Sequence, residues 1–108
     1  MPPHRIRLRG FWTVTPLADG GFAHRRSFGR PQMSDPSERA WLVCDTLPGP
    51  ATITMNGEPL GSADSGTAAF DVTERLLPRN ELVITLTGPG VIDTLDNVAL
   101  EMRSDITG

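Results

Sequence analysis

The sequence has 108 residues, with one cysteine, no tyrosine and no lysine. Because Cys44 has no second cysteine to pair with, an internal disulfide is excluded, and the fold must be held by packing and hydrogen bonds. A single cysteine also agrees with a reducing compartment. The sequence has no 18-residue apolar run for a membrane span, and residues 1–7 lack the apolar core of a secretory signal. We therefore expect a soluble, cytoplasmic protein without a membrane partner.

Charge is distributed unevenly along the chain. All ten basic residues are arginine; seven of them precede residue 40, together with three acids, whereas three arginines and ten acids follow. Either the two parts attract each other across the fold or the arginines form one basic face. The net charge of -3 and the lack of a DNA-reading helix or an RNA-binding aromatic motif argue against nucleic acid. We predict no nucleic-acid partner.

Short alternating segments, separated by glycine and proline, predict eight β-strands. With 11 glycines, 10 prolines and 38% apolar residues, the chain can build a core but is broken too often for long helices. The predicted strands are residues 5–14, 22–28, 39–47, 51–55, 58–61, 67–72, 82–87 and 98–102. Their even spacing favours two packed antiparallel sheets over a βαβ fold. A chain of this length predicts one domain, residues 1–108.

Asn56-Gly57 is the strongest local signal in the chain. Two consecutive residues that tolerate positive φ form a type I′ turn, whose twist matches that of the flanking strands, so a two-residue hairpin is predicted here. Further along, we expect Thr73 to cap a single helical turn, because its hydroxyl can accept a hydrogen bond from a free amide. Pro78 ends that turn, since proline has no N–H and clashes with the preceding turn.

Several segments together resemble a known family. They are Trp41-Leu42-Val43-Cys44, Met55-Asn56-Gly57-Glu58-Pro59-Leu60-Gly61, Phe70-Asp71-Val72-Thr73 and Asn80-Glu81-Leu82. In residue type and spacing they are similar to the jelly-roll, galactose-binding-like sugar-binding domain of family 2 glycoside hydrolases, such as β-galactosidases and β-glucuronidases. The resemblance covers residues 39–103 and implies an all-β, two-sheet antiparallel sandwich. It also implies that the catalytic carboxylates belong to a separate (β/α) barrel, which this chain lacks.

The sequence shows no combination of residues typical of catalysis, metal binding or cofactor binding. His4 and His24 are the two histidines, and neither accompanies a Gly-x-Ser-x-Gly nucleophile motif. Cys44 lies in an apolar strand, where cysteine packs as a small hydrophobe. Acid pairs such as Asp93 and Asp96 arise by chance among 13 acids, and the spacing of a calcium-binding loop is absent. We predict a protein that is not an enzyme and has no cofactor or metal.

Four residues are candidates for binding a sugar. Aromatic rings stack on sugar rings and arginine binds hydroxyls or carboxylates, which selects Trp41 and Arg25, although a packed tryptophan and a solvated arginine are the commoner outcomes. In the resembling family, a segment before the last strand contributes to the sugar site and ends in an Ile-Tyr-Arg-Asp-Val-like run. Here the run reads Leu95-Asp96-Asn97-Val98, so Asp96 and Asn97 replace the family's arginine and aspartate. The resemblance therefore implies a site at Asp96 and Asn97 with altered contacts.

The sequence leaves two functions open. The resemblance implies a non-catalytic carbohydrate-binding-like module, whose partner is a carbohydrate or a separately encoded glycoside hydrolase subunit. The alternative is a protein-interaction or structural β-sandwich domain without a sugar ligand. It is favoured by the shortened segment before the last strand and by Arg5, Arg7 and Arg9, which alternate along one side of the first predicted strand. An independent hydrolase is not expected, and the oligomeric state is left open.

Overall fold

Nine β-strands and one short 3₁₀ helix make up the regular structure of the computed structural model, which describes residues 4–10, 12–18, 20–32, 37–47, 49–64, 66–87 and 98–104. The strands are β1 (His4–Arg7), β2 (Thr13–Pro16), β3 (Phe22–Gly29), β4 (Glu38–Leu47), β5 (Ala51–Met55), β6 (Glu58–Ala63), β7 (Gly66–Asp71), β8 (Arg79–Leu86) and β9 (Val98–Ser104). The 3₁₀ helix spans Thr73–Arg75. Within the described ranges, no helix is long and apolar enough to cross a membrane.

The strands form two antiparallel sheets. The four-stranded sheet has the order β1-β9-β4-β7, and the five-stranded sheet has the order β2-β3-β8-β5-β6. Neighbouring strands in the sequence therefore alternate repeatedly between the sheets, and neighbours within a sheet are often distant in sequence. The predicted all-β, two-sheet jelly-roll sandwich is confirmed.

The first predicted strand, residues 5–14, is wrong as a single element. β1 pairs with β9, whereas β2 pairs with β3 in the other sheet, so the chain crosses between sheets in this segment. Leu8 is buried at the crossing, and Gly10 has a φ of 67°, which glycine adopts without strain. Trp12 Nε1 donates a 2.9 Å hydrogen bond to the Leu8 carbonyl and so holds the crossing in place. The described chain consequently has nine strands and not eight.

Apolar side chains at alternate positions of both sheets fill the space between them. The largest fully buried ones are Leu42, Ile53, Met55, Leu82, Ile84, Leu86, Leu100 and Met102. Each such side chain stabilises the fold by about 1.5–3 kcal/mol when it is fully buried, so these rows supply most of the stabilisation. In β5, β8 and β9 the buried apolar residues of the core recur at every second position, as a strand with one buried face requires.

The Asn56-Gly57 hairpin is also confirmed. Both residues have positive φ, 54° at Asn56 and 82° at Gly57, and the turn joins β5 to β6. The Asn56 side chain then connects the turn to β8, because its Oδ1 accepts from the Glu81 amide at 2.9 Å and its Nδ2 donates to Asn80 Oδ1 at 3.1 Å. One asparagine therefore shapes the hairpin and attaches it to the neighbouring strand.

The predicted capping role of Thr73 is wrong. Thr73 is the first residue of the 3₁₀ helix, and Val72 precedes it without a side-chain capping hydrogen bond. The Thr73 hydroxyl instead donates to Asp71 Oδ1 at 2.7 Å and accepts from the Ala40 amide at 2.8 Å. Because the Thr73 hydroxyl is bonded to these residues of β7 and β4, it does not cap the helix.

We expect Asn80→Leu to lower the free energy of unfolding by about 2–3 kcal/mol, because it leaves several buried backbone groups unsatisfied. Asn80 is 1% exposed; its Oδ1 accepts from the Leu77 amide at 2.8 Å, and its Nδ2 donates to the carbonyls of Leu77 and Phe28. Urea unfolding measures the loss. Ser62→Ala, at an exposed position of β6, serves as the control and should change stability by less than about 0.5 kcal/mol. Equal effects of the two substitutions would contradict the assigned role of Asn80.

We expect the Cys44 thiol to be inert in the native protein. Cys44 is fully buried, and burial, with a smaller contribution from Asp45, raises its pKa to about 12. Because the thiolate is the reactive form, a disulfide reagent at pH 8 should modify the native protein at least about 100-fold more slowly than the protein in denaturant. An added exposed thiol, Ser62→Cys, provides a rapidly reacting control. Equally fast modification of Cys44 would show that its strand opens readily.

Candidate functional site

Arg25, a predicted ligand-binding residue, lies in an open cleft on the outward face of the five-stranded sheet. The cleft has a volume of about 380 Å³ and is lined by Thr13, Arg25, Arg26, Ser27 and Arg79. We call these five residues the arginine cleft. They come from three adjacent strands, β2, β3 and β8.

Strand alternation and register assemble the arginine cleft. The residues that flank Arg25 and Ser27 on β3 include buried core positions, so Arg25 and Ser27 project outward. Thr13 of β2 pairs with Arg25 of β3, so the two side chains are neighbours on the same face of the sheet. On the other side, Arg79 at the start of β8 pairs with Gly29, which carries no side chain to cover it.

Backbone carbonyl groups, and not carboxylates, hold Arg26. Its Nε donates to the Gly10 carbonyl at 3.0 Å, and its terminal nitrogens donate to the carbonyls of Ser27 at 3.1 Å and Arg9 at 3.3 Å. Partial burial lowers the pKa of Arg26, but a guanidinium group stays protonated in proteins. Since a guanidinium group has five N–H donors, the three bonds leave two donors uncommitted within the described part of the chain.

Arg25 and Arg79 are less constrained than Arg26. Arg25 Nε lies 3.6 Å from Glu81 Oε2, and the two side chains are 58% and 52% exposed, so this ion pair contributes little to stability. The side chain of Arg79 forms no hydrogen bond or ion pair with another described residue. On its outward face the arginine cleft therefore presents the guanidinium groups of Arg25 and Arg79, with the Glu81 carboxylate 3.6 Å from Arg25. Arg26 alternates to the other face of β3, where it pairs with buried Leu82.

Trp41, a second predicted binding residue, lies on the outward face of the four-stranded sheet. It packs against Arg103, whose guanidinium carbon is 4.8 Å from the centroid of the indole ring, and it is not part of the core between the sheets. Arg103 Nε donates to Glu101 at 2.7 Å, and Glu101 also accepts from Arg5 at 3.0 Å. An arginine thus covers one face of the ring that a sugar would need as a platform.

Arg5 connects the same outward face across three strands. It starts on β1, donates to Glu101 on β9 and reaches Asp45 on β4 at 2.8 Å. Beside this bridge, Val43 and Ala99 are only 4% and 1% exposed, although neither belongs to the core between the sheets. Arg9 lies beyond the end of β1. The predicted row of three arginines on one strand is therefore wrong.

Asp71 connects β7 to β4 and to the 3₁₀ helix. Its Oδ2 accepts from Arg39 Nε at 2.7 Å, and its Oδ1 accepts from the Thr73 amide at 3.0 Å and from the Thr73 hydroxyl. Partial burial acts to raise the pKa of Asp71, but the hydrogen bonds from Arg39 and Thr73 together outweigh it. The pKa of Asp71 consequently lies below its usual value.

The predicted binding residues do not form one site. Arg25 and Trp41 lie on the outward faces of opposite sheets. Asp96 and Asn97 lie outside the described residues, as does Asp93. Among the residues that are described, no group of three or more histidine, cysteine, aspartate and glutamate side chains is placed to hold a metal ion.

Sequence reasoning missed four members of the arginine cleft: Thr13, Arg26, Ser27 and Arg79. Ser27 could have been found, because it alternates with Arg25 on the same strand. Thr13 and Arg79 become neighbours of β3 only through the pairing order β2-β3-β8, which no local pattern predicts.

Comparisons with known proteins address the fold directly. No protein-family model and no curated protein matches the sequence. A β-glucuronidase of Bifidobacterium dentium, solved in complex with coumarin-3-O-glucuronide, matches 80% of this chain with 20% identity and a TM-score of 0.71. β-Glucuronidases of an uncultured Clostridium species and of Dictyoglomus thermophilum each match 95% of the chain, with 16% and 11% identity and TM-scores of 0.72 and 0.75. The fold is that of a β-glucuronidase β-sandwich.

A β-glucuronidase sandwich of this kind is a minor part of each of those enzymes. The chain covers 20%, 29% and 28% of the three solved chains, respectively. At such low sequence identity the likeness concerns the fold alone. As a statement about the fold, the expected resemblance to the sandwich domain of family 2 glycoside hydrolases is confirmed. The described residues correspond to a sandwich and not to a catalytic barrel, and no catalytic site is seen among them.

We expect Asp71→Asn to lower the free energy of unfolding by about 1 kcal/mol at pH 7, because it removes the charge that Arg39 and Thr73 stabilise. Since folding lowers the pKa of Asp71, its contribution is complete above the unfolded pKa of about 4 and is lost as the pH falls through the folded pKa. Urea unfolding should therefore show the two proteins converging as the pH falls below about 4. The control Asp64→Asn, at an exposed position, should change stability little at either pH. A difference for Asp71→Asn that stays constant down to low pH would contradict this account.

Proposed function

We propose that this chain is a non-catalytic carbohydrate-binding module and that the arginine cleft is its binding surface. The observation that carries the proposal is one open cleft of about 380 Å³ that is lined by three arginines, a threonine and a serine. Guanidinium groups donate hydrogen bonds, and the hydroxyls of Thr13 and Ser27 both donate and accept them. This set of groups complements the hydroxyl-rich edge of a sugar ring.

The cleft is pre-organised for binding. Its members lie on three hydrogen-bonded strands, and the eight paired positions between β3 and β8 fix the spacing of Ser27 and Arg79. A surface that is ordered in advance loses less conformational entropy on binding, which favours affinity.

The cleft offers binding groups without a catalytic pair. Hydrolysis of a glycosidic bond commonly uses two carboxyl groups, separated by about 5–5.5 Å in retaining enzymes and about 6.5–9.5 Å in inverting ones. Among the described residues around the cleft, Glu81 supplies one carboxylate, and it lies beside Arg25. This composition supports a binding role.

The fold supports the same ligand class. The solved β-glucuronidase of Bifidobacterium dentium contains a glucuronide, and its likeness to this chain makes a carbohydrate the natural ligand to test. Because the chain covers a fifth of that enzyme, the enzyme's activity is not carried over with the fold.

A second candidate function is supported by the opposite sheet. There, Trp41 is half-buried, and the Arg103 guanidinium lies 4.8 Å from the centroid of its ring. A partly exposed aromatic ring with an arginine beside it is typical of a protein interface. In this alternative the chain is an interaction domain without a sugar ligand, and a separately encoded glycoside hydrolase subunit is the partner to test.

An amide NMR titration of the labelled protein distinguishes the two functions. The panel contains neutral and acidic mono- and oligosaccharides, each added to the wild type and to the double variant Arg25→Gln/Arg79→Gln. We expect saturable shifts at the amides of Thr13, Ser27 and Arg79 in the wild type, and much weaker shifts in the double variant. Arg103→Gln removes one charge from the other sheet, against two in the double variant, and is the control for an unspecific effect of charge.

Three results would contradict the proposed cleft. The absence of shifts with every sugar would exclude carbohydrate binding under these conditions and favour the interaction domain. Shifts centred on Trp41, lost in Trp41→Ala, would move the sugar site to the four-stranded sheet. Equal loss in Arg103→Gln and in the double variant would show that net charge alone governs binding.

A further inference from the structure

The outermost strand of the five-stranded sheet, β2, has an open edge. Among the described strands it pairs with β3 on one side and with none on the other. Its residues, Thr13-Val14-Thr15-Pro16, are all exposed and carry no charge. Val14 is 36% exposed and is one of two large apolar side chains that are exposed in the described part of the chain. The open edge of a strand can bind a further strand through its unpaired N–H and C=O groups.

Hydrogen-bond alternation shows which backbone groups of β2 face the open edge. The Leu17 amide donates to the Gly21 carbonyl at 2.8 Å, and this pair continues the register of β2 with β3. Directly bonded pairs alternate in an antiparallel ladder, so Thr13 and Thr15 bond to β3, and the N–H and C=O groups of Val14 point away from it. Val14 therefore offers one donor and one acceptor to another strand.

The position of Pro16 agrees with this assignment. It lies two residues after Val14, so its nitrogen, which carries no hydrogen, also faces the open edge, where proline costs the sheet no hydrogen bond. Its carbonyl remains an acceptor there. A strand bound at this edge can consequently bond to both backbone groups of Val14 and to one of Pro16.

The other outer strands, β1, β6 and β7, are less suited to such pairing. β1 contains Arg5 and Arg7, which would face each other if two copies paired antiparallel about Ile6. β6 contains Pro59, and its register with β5 shifts. β7 ends in the charged Asp71, and its register with β4 also shifts. Charges, prolines and bulges all hinder edge-to-edge pairing, which leaves β2 as the most open edge of the described strands.

We propose that two copies of this chain pair antiparallel through β2, about a two-fold axis at Val14. The five-stranded sheets of the two copies then form one continuous sheet. Val14 faces Val14 of the second copy, and these two residues exchange both of their N–H···O=C hydrogen bonds. On either side, Thr13 faces Thr15 of the second copy and Trp12 faces Pro16 of the second copy. This interface goes beyond the proposed function and does not depend on it.

The side chains of β2 match those of a second copy on both faces of the sheet. Val14 pairs with the buried His24, so it lies on the inward side, where Trp12 packs against the core. On that side the pairing brings together two valines and, at each end, a tryptophan and a proline, which are all apolar contacts. On the outward side it brings together threonines, whose hydroxyls can bond to each other across the strands. An identical strand therefore supplies a matched partner for each residue.

The pairing also avoids the repulsion that the arginines of β3 could cause. Arg25 lies beside Thr13, and Ala23 lies beside Thr15. In the two-fold arrangement, the row that contains Arg25 therefore ends at Ala23 of the second copy and not at its arginine. The two Arg25 residues lie three strand spacings apart, about 14 Å, which exceeds the screening length of about 8–10 Å at moderate salt.

We expect the dimer to be weak because β2 is short. Stable specific complexes bury about 1,200–2,000 Å² in total, and the pairing of two four-residue strands buries less. A dissociation constant of about 0.1–1 mM follows, so that the dimer forms reversibly and only at high concentration.

The first test measures association of the complete chain between about 20 µM and 1 mM, a range that brackets the expected dissociation constant. Sedimentation equilibrium should show the average mass rising from 11.7 kDa towards twice that value. Hydrogen exchange of the Val14 amide should slow about twofold to fivefold over this range, because pairing gives that amide its hydrogen bond. The amides of Thr13 and Thr15, which already bond to β3, should change little.

Variants locate the interface at β2. Val14→Lys places two ammonium groups opposite each other and should weaken dimerisation at least about tenfold. Ser62→Lys adds the same charge at an exposed position of β6 and should leave dimerisation unchanged. Val14→Thr, which keeps a β-branched side chain of similar size, should dimerise nearly as well as the wild type. All three sites lie at exposed positions of outer strands, so the variants should fold, which amide NMR spectra check.

Four results would overturn this inference. The first is a protein that stays monomeric at about 1 mM, where the expected dissociation constant requires dimer. The second is a dimer that Val14→Lys leaves intact, and the third is one that Ser62→Lys weakens equally, since it would reflect only the added charge. The fourth comes from NMR of mixed labelled and unlabelled protein: intermolecular contacts must join Thr13 to Thr15, and contacts from β2 to any other strand would exclude the two-fold pairing.

Discussion

The packing of the two sheets against each other is the constraint on which the rest of this structure depends. The inward rows of β4 and β9 face those of β5 and β8, and the side chains between them are almost entirely apolar. Because side chains alternate along a strand, a row that must face inward fixes the outward direction of every second residue. The positions of Arg25, Ser27 and Trp41 are consequences of this rule, although none of the three is part of the core between the sheets.

The arginines on the two outward faces differ in the groups that balance their charge. On the four-stranded sheet, Arg5, Glu101 and Arg103 form a connected set of short ion pairs, and Arg39 bonds to Asp71. On the five-stranded sheet, Arg25 has a looser ion pair with Glu81 at 3.6 Å, and Arg26 donates to backbone carbonyls. The sequence allowed either attraction between its basic and acidic parts or one basic face. The structure shows both: arginines of the amino-terminal part pair with distant acids on one sheet, and others form a basic cleft on the opposite one.

His24 is the one feature of the described interior that packing does not explain. It is fully buried on β3, with its ring edge-on to Trp12 and to Phe22 at centroid distances of 6.5 Å and 6.4 Å. Neither ring nitrogen has a hydrogen-bond partner among the residues that the structure describes. Asn80, the other buried polar side chain among the described residues, has all of its polar atoms bonded. His24 and Asn80 therefore differ in energetic cost, since a buried donor or acceptor without a hydrogen-bond partner costs about 1–3 kcal/mol.

The sequence by itself determined the local features of this protein. Positive φ at Asn56 and Gly57 follows from residue type, and the inward rows of β5, β8 and β9 follow from alternation, because both depend only on neighbouring residues. The β-sandwich class follows from many such strands together. Tertiary structure alone decided that residues 5–14 divide between two sheets, because alternation reads the same whichever sheet a strand joins. It also decided that Arg25 and Trp41 lie on opposite faces and that Thr13 and Arg79 join Arg25, since these relations depend on long-range strand pairing that no local pattern encodes.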